Sequence, residues 1–107
     1  MKFIVLGKYN ATGLAGFMKN PDEDRTSMIS SMMDKAGASL EAMYLTRGGY
    51  DIVASGDAPD FDTLAAVKML VMASGAVSEM EILEASDFGK IAAKAASLSG
   101  TYKAPGA

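Results

Sequence analysis

The stretch Tyr44-Leu45-Thr46-Arg47-Gly48-Gly49-Tyr50-Asp51-Ile52-Val53 predicts a β-hairpin, and the rest of the fold follows from it. Residues 39–46 and 50–56 alternate in the manner of strands, and the two adjacent glycines between them can adopt the positive φ that tight hairpin turns favour. Because an even number of loop residues joins the strands, we expect Leu45 to face the same side of the sheet as Ile52.

The segments on either side of the hairpin carry helix signals. Asn20 fits an N-cap, Pro21 fits the first position of a helix, and Gly37 ends that helix. Asp60 and Ser86 are expected to cap two later helices. The predicted elements are a strand over 2–9, helices over 14–19 and 21–36, the two hairpin strands, a helix over 61–74, a strand over 76–84 and a helix over 87–98.

The order β-α-β-β-α-β followed by a C-terminal helix predicts an α+β, ferredoxin-like fold, in which an antiparallel sheet carries two helices on one face. We expect the first and third strands to lie in the centre of the sheet, parallel to each other. The 107 residues, 50% hydrophobic and 21% charged, fit one folded domain over 1–98. A Gly/Pro/Ala tail over 99–107 is expected to be flexible.

The sheet face turned away from these two helices is neither clearly polar nor clearly apolar. The hairpin places on it Ala42, Tyr44, Thr46, Asp51, Val53, Ser55 and Asp57. Sheets that face water normally alternate more cleanly. The predicted helix over 61–74 has one polar residue between 65 and 73, Lys68, so a single sheet cannot cover it. We therefore expect two copies to pack sheet against sheet as a dimeric α/β barrel. The alternatives are exposure of these apolar side chains to solvent, or cover by the terminal helix folded back over them.

The composition excludes several classes of site. The chain has no His and no Cys, which removes the common zinc sites, disulfides, thiol nucleophiles and His-based triads. Its net charge of −3 and sequence pI near 4.8 disfavour a nucleic-acid surface. No apolar stretch is long enough for a signal peptide or a membrane span. We expect a cytoplasmic protein without nucleic-acid or membrane partners, metal or cofactor.

Asp51 is the residue least explained by folding alone, because an acidic residue is a poor strand former. A structural interpretation gives it a salt bridge to Lys2, a hydrogen bond to Thr46, or a cap on N–H groups of the turn. A functional interpretation turns its carboxylate into a cavity between two sheets, as a general base beside the candidate ligand-binding residues Tyr44, Thr46 and Ser55.

A second group of candidate ligand-binding residues is expected at the other end of the sheet. If the first and third strands run parallel, Tyr9 and Asp57 meet there and line the mouth of a pocket. Tyr50 is instead expected in the core under the helices. Gly49 is expected to have the positive φ of the hairpin turn, so the paired glycines serve the turn rather than a phosphate.

Residues 44–53, with the turn Ala58-Pro59-Asp60 that follows, resemble the signature of the GYD-domain family, named for the triplet that stands here as Gly49-Tyr50-Asp51. The order of elements extends the resemblance to about residues 2–95. The resemblance implies a small ferredoxin-like protein of the dimeric α/β-barrel kind, in a family without an established general activity.

Related dimeric α/β barrels include cofactor-independent oxygenases, haem-degrading monooxygenases, small isomerases and effector-binding domains of regulators, and the fold does not choose among them. The lack of His disfavours haem ligation. Two functions stay open, namely a homodimer that binds or transforms a small organic molecule, and a non-catalytic module for oligomerisation or regulation. The sequence leaves open whether the protein is an enzyme.

Overall fold

A computed structural model of residues 1–107 contains the predicted number of strands and helices in the predicted order. They are β1 (Lys2–Tyr9), α1 (Ala11–Lys19), α2 (Arg25–Lys35), β2 (Ser39–Leu45), β3 (Ile52–Asp57), α3 (Phe61–Ala73), β4 (Val77–Glu84) and α4 (Phe88–Ser97). This confirms an α+β fold built on an open, four-stranded antiparallel sheet, consistent with the ferredoxin-like arrangement. None of the helices combines the length and the hydropathy that a membrane crossing would require.

The strands lie in the order β2-β3-β1-β4, so β1 and β3 are central as predicted. The expectation that these two strands run parallel is wrong, because Lys2 lies opposite Asp57 and Gly7 lies opposite Ile52. The helical crossover returns the chain so that β2 runs in the direction of β1, and the hairpin then reverses it. β3 must therefore run antiparallel to β1.

The hydrophobic core lies between one face of the sheet, called here the inner face, and helices α2 and α3. Phe3 and Ala54 reach it from the central strands, Met33 from α2 and Leu64 from α3. Phe3 and Leu64 are almost completely buried. Side chains alternate along each strand, so the residues between these inner positions point to the opposite, outer face.

The hairpin confirms the predicted assignment of faces, since Leu45 pairs with Ile52. The Thr46 N–H donates to the carbonyl oxygen of Asp51 at 2.8 Å and closes the loop. Gly48 has the positive φ, at 137°, and Gly49 does not, so the expectation for Gly49 is wrong. The loop is longer than a two-residue turn, and its turn geometry therefore does not require both glycines.

Gly56 marks a close approach between the hairpin strands. A β-carbon at this position would overlap the carbonyl oxygen of Ser39 and press on the Phe3 ring. The register shifts next to it, where Glu41 is an extra residue in β2 without a partner in β3. The glycine therefore has a packing role that the hairpin signature does not reveal.

Helix α2 begins at Arg25 and not at Pro21, so the predicted start is wrong. Its N-cap is Asp24, whose carboxylate accepts a hydrogen bond from the Ser27 N–H at 3.0 Å. Asn20 instead ends α1. Because the Asn20 N–H donates to the Gly16 carbonyl oxygen as the last hydrogen bond of α1, the chain has to turn before a new helix can begin, and Asp24 offers the next capping side chain.

The two later helices both begin at aspartates. Asp60 caps α3 as predicted, accepting from the Thr63 N–H at 2.8 Å. Asp87, and not the predicted Ser86, caps α4. Every residue from 83 to 107 is exposed, so the alternative in which the terminal helix covers its own sheet is wrong. The longest dimension of the chain is accordingly 58 Å.

Candidate functional site

The outer face of the sheet has an apolar centre. The strand register places two rows across it, Tyr44, Val53, Leu6 and Glu81 in one, and Ala42, Ser55, Ile4 and Leu83 in the other. Tyr44 is 64% exposed and Leu83 is 46% exposed. The predicted site residues Tyr44 and Ser55 thus lie on one surface, open to solvent in the single chain.

One end of the outer face carries an ion pair between β1 and β2. The Lys2 ammonium lies 2.5 Å from the Glu41 carboxylate. Their hydrogen bond raises the pKa of Lys2 and lowers the pKa of Glu41. Asp57, opposite Lys2 in the register, adds to the raised pKa of the lysine. The alternative salt bridge from Lys2 to Asp51 does not form, because antiparallel pairing puts these residues at opposite ends of the sheet.

The other end of the outer face holds Tyr50, which sequence analysis placed in the core. Its hydroxyl donates to the Glu81 carboxylate at 3.0 Å, and this hydrogen bond raises the pKa of Tyr50. The Lys8 ammonium lies 5.3 Å from the centre of the Tyr50 ring and 3.4 Å from Glu79. The core prediction for Tyr50 is wrong, because this residue precedes the first paired residue of β3 and strand alternation does not fix its direction.

Asp51 extends the pairing of the two central strands. Its carboxylate accepts a hydrogen bond from the backbone N–H of Tyr9 at 3.0 Å, and its own N–H donates to the carbonyl oxygen of Gly7 at 2.8 Å. These contacts are of the capping kind that the structural interpretation describes, although the capped N–H belongs to β1 and not to the turn.

The structure does not bring the six candidate residues together in one site. The Thr46 hydroxyl donates to the carbonyl oxygen of Tyr50 at 2.6 Å and so serves the hairpin loop. Asp57 lies at the opposite end of the sheet from Tyr9, so the expectation that these two residues meet is wrong. The cause is again the antiparallel direction of β3.

A cavity of about 310 Å³ lies on the inner face, between the sheet and helices α2 and α3. Seventeen of its 20 lining residues are hydrophobic, and none carries a carboxylate. Five of the lining residues are methionines, namely Met28, Met32, Met33, Met43 and Met80. Methionine is unbranched and polarisable, so this lining can adapt to ligands of different shapes.

Tyr9 and Arg25 are the largest polar side chains that line the cavity. Burial raises the pKa of Tyr9, and the positive charge of Arg25 opposes this shift. The Tyr9 ring meets Phe17 edge-on, with 5.1 Å between centroids. The Arg25 side chain is 27% exposed, and its guanidinium lies 3.3 Å from the Glu23 carboxylate. An apolar cavity with a cationic end is thus formed on the face opposite the predicted site.

Sequence reasoning did not find this cavity. Met28, Met32 and Met33 share a helical face, which is also the pattern of ordinary core packing. Periodicity shows which side chains point inward but not whether they fill the space between layers. Tyr9 was a candidate because it was expected to meet Asp57 at one end of the sheet, and Arg25 was not a candidate.

Comparison with known proteins gives one positive finding. The family model described as the GYD domain matches residues 3–95. No curated protein and no solved structure gives a significant match.

Proposed function

Since this chain belongs to the GYD-domain family, we propose that it is a homodimeric protein that binds a small apolar organic molecule in the cavity between its sheet and helices α2 and α3. The observation that carries this proposal is the cavity itself. Its volume of about 310 Å³ is at the lower end of the range for ligand sites, and its apolar lining with few polar groups matches their usual composition.

The chemistry of the lining favours binding over covalent catalysis. The lining holds no carboxylate, and the chain has no cysteine or histidine that could act as a nucleophile or a general base. Tyr9 and Arg25 can both donate hydrogen bonds. These groups can orient a ligand at one end of the cavity.

Self-association through the outer face is the second part of the proposal. An apolar centre flanked by charged groups is the usual anatomy of a protein interface. Each end of this face carries both signs of charge, with Lys2 beside Glu41 at one end and Lys8 beside Glu79 at the other. A two-fold axis can therefore pair opposite charges at both ends.

Helix α4 supports a second copy as the partner. Phe88 and Ile91 are spaced to share one side of this helix, Leu98 is its exposed C-cap, and Phe88 is 80% exposed. The helix buries no residue against its own chain. An amphipathic helix without cover is unstable in water, and a neighbouring copy would supply that cover.

The alternative function is a non-catalytic module whose output is oligomerisation or regulation. The exposed outer face and α4 favour it, and they do not require an occupied cavity. The two functions differ in one measurable property, which is saturable binding of an apolar molecule on the inner face.

Binding of 1-octanol, a neutral apolar probe, tests the proposed function by isothermal titration calorimetry. We expect saturable binding to the wild-type chain and at least roughly tenfold weaker binding to Val71→Phe, because Val71 lines the cavity and phenylalanine fills it. Ala73→Phe adds the same side chain at an exposed position of α3 outside the lining and should bind like wild type. Absence of saturable binding of 1-octanol, and of analogues with the same chain and a charged head group, would leave the oligomerisation module as the function.

A further inference from the structure

We propose that the ligand of the inner cavity is an amphipathic carboxylic acid, whose carboxylate binds Arg25 and Tyr9 while its apolar part fills the methionine-lined space. This inference rests on the proposed function, because it specifies the chemistry of the molecule that the cavity takes.

Arg25 is suited to a carboxylate. A guanidinium offers five N–H donors in a planar fork and pairs with carboxylates through two parallel hydrogen bonds. Its partner in the chain is Glu23, with Nη1 and Oε1 3.3 Å apart. Charge-assisted N–H···O bonds are normally about 2.7–2.9 Å long, so this pair is loose, and the hydroxyl of Tyr9 is the other group of the chain beside the guanidinium. The Arg25 side chain is also partly buried, which makes an ionic contact there stronger than one on the open surface.

Tyr9 provides a second donor at the same end of the cavity. Burial raises the pKa of its phenol, so the hydroxyl stays protonated at neutral pH and can donate to an oxygen of the ligand. Its position is fixed on two sides, by the Phe17 ring and by the hydrogen bond from its N–H to Asp51. The two donors together favour a ligand that presents only acceptors, as a carboxylate does.

The other charged and polar groups at this end are already engaged or compete with the ligand. The Asp51 carboxylate accepts from the Tyr9 N–H, and the Ser74 hydroxyl donates to the carbonyl oxygen of Val71. Glu23 competes with a ligand carboxylate for Arg25. An amine would meet the positive charge of Arg25, and an alcohol would leave that charge without a new partner.

The size of the cavity limits the apolar part. A cavity of about 310 Å³ is at the lower end of the range for ligand sites, which favours an acid with a short apolar chain. Octanoate is such an acid and is therefore the probe. 1-Octanol and octylamine match its chain and differ in the head group.

Calorimetric titrations of the full chain with these three probes at pH 7 test the inference. We expect wild type to bind octanoate at least roughly tenfold more tightly than 1-octanol, and octylamine most weakly. Arg25→Gln should remove the preference for octanoate while 1-octanol binding persists, and Arg25→Lys should restore part of it. Glu23→Gln should strengthen octanoate binding severalfold. Lys35→Gln, at the far end of α2 and outside the cavity lining, is the matched control.

The failure modes are distinct. Equal affinity for octanoate and 1-octanol, or a preference for octylamine, would overturn the carboxylate proposal and leave the proposed function standing. Absence of binding by all three probes would overturn both. A preference for octanoate that survives in Arg25→Gln would place the carboxylate elsewhere and overturn this assignment, with circular dichroism of each variant confirming that it is folded.

Discussion

The carboxylate of Asp51 accepts a hydrogen bond from the backbone N–H of Tyr9 at 3.0 Å. The side chain of the residue just before β3 thereby takes the place of a backbone carbonyl and extends the pairing of β1 beyond the first residue of β3. Because this hydrogen bond holds the Tyr9 backbone in place, it also positions the Tyr9 side chain at the polar end of the inner cavity. Asp51 thus links the hairpin of the family signature to the proposed ligand site.

Replacing Asp51 separates a capping role from a catalytic one. Asp51→Ala should lower the free energy of unfolding by about 1–3 kcal/mol, because it leaves a half-buried N–H without a charged acceptor. Asp51→Asn keeps an acceptor oxygen and should lose less. Urea denaturation measures both, with Asp62→Asn on the exposed side of α3 as control. An Asp51→Asn variant more stable than wild type would indicate that the carboxylate serves function at the expense of folding.

The two glycines Gly56 and Gly49 should respond oppositely to alanine. Gly56→Ala should destabilise the chain by roughly 2–3 kcal/mol, because the added methyl overlaps the Ser39 carbonyl oxygen and the Phe3 ring. Gly49→Ala should change stability little, since nothing lies near its β-carbon position and its φ is negative. Thermal melting compares the two, and a larger loss at Gly49 would contradict this account of the hairpin.

Tyr50 should contribute to the stability of the chain in a defined window of pH. Its folded-state pKa is raised by the hydrogen bond to Glu81, so its contribution is fully present below the unfolded value near 10 and is lost as pH rises through the higher folded value. Unfolding free energy should therefore fall less steeply above pH 10 in Tyr50→Phe than in wild type. The pKa of Lys2 is also raised, so its contribution to stability is lost in the same range of pH. This loss occurs in both proteins and does not affect their comparison. Identical slopes would show that the phenol makes no such hydrogen bond in solution.

Charge placed on the outer face should oppose self-association. Sedimentation equilibrium is expected to show wild type as a dimer at micromolar concentration and Tyr44→Lys with at least a roughly tenfold higher dissociation constant, because the lysine would be desolvated in the apolar centre. Leu14→Lys makes the same kind of change at an exposed position of α1 and should leave the dimer intact. A monomeric wild type would contradict the homodimer directly.

Local sequence patterns predicted the elements of this fold well. The paired glycines, the Asp60 cap and the alternation around Leu45 and Ile52 each act through neighbouring backbone, and the structure confirms the hairpin, the α3 start and the face assignment. The start of α2 was misplaced because Asn20 and Asp24 both offer a capping side chain, and the sequence does not rank them.

The candidate site was less predictable, since it depends on relations between distant segments. The direction of β3 relative to β1 decided whether Asp57 meets Tyr9 and whether Asp51 meets Lys2, and a single wrong direction moved both pairs apart. The inner cavity depends on how completely α2 and α3 fill the space above the sheet. That is a property of packing, and no residue pattern in a single sequence reports it.

The lack of a side chain at Gly56 also determines which residues of β2 and β3 can pair. Side-chain direction repeats every two residues, so sliding one strand by two positions would keep every apolar residue on its correct face. Such a slide would bring Ala54 or Ala58 to the place where the Ser39 carbonyl oxygen leaves no room for a methyl group. The alternation of apolar side chains thus disfavours a register shift of one residue in this hairpin. The lack of room for a methyl group at position 56 disfavours a shift of two.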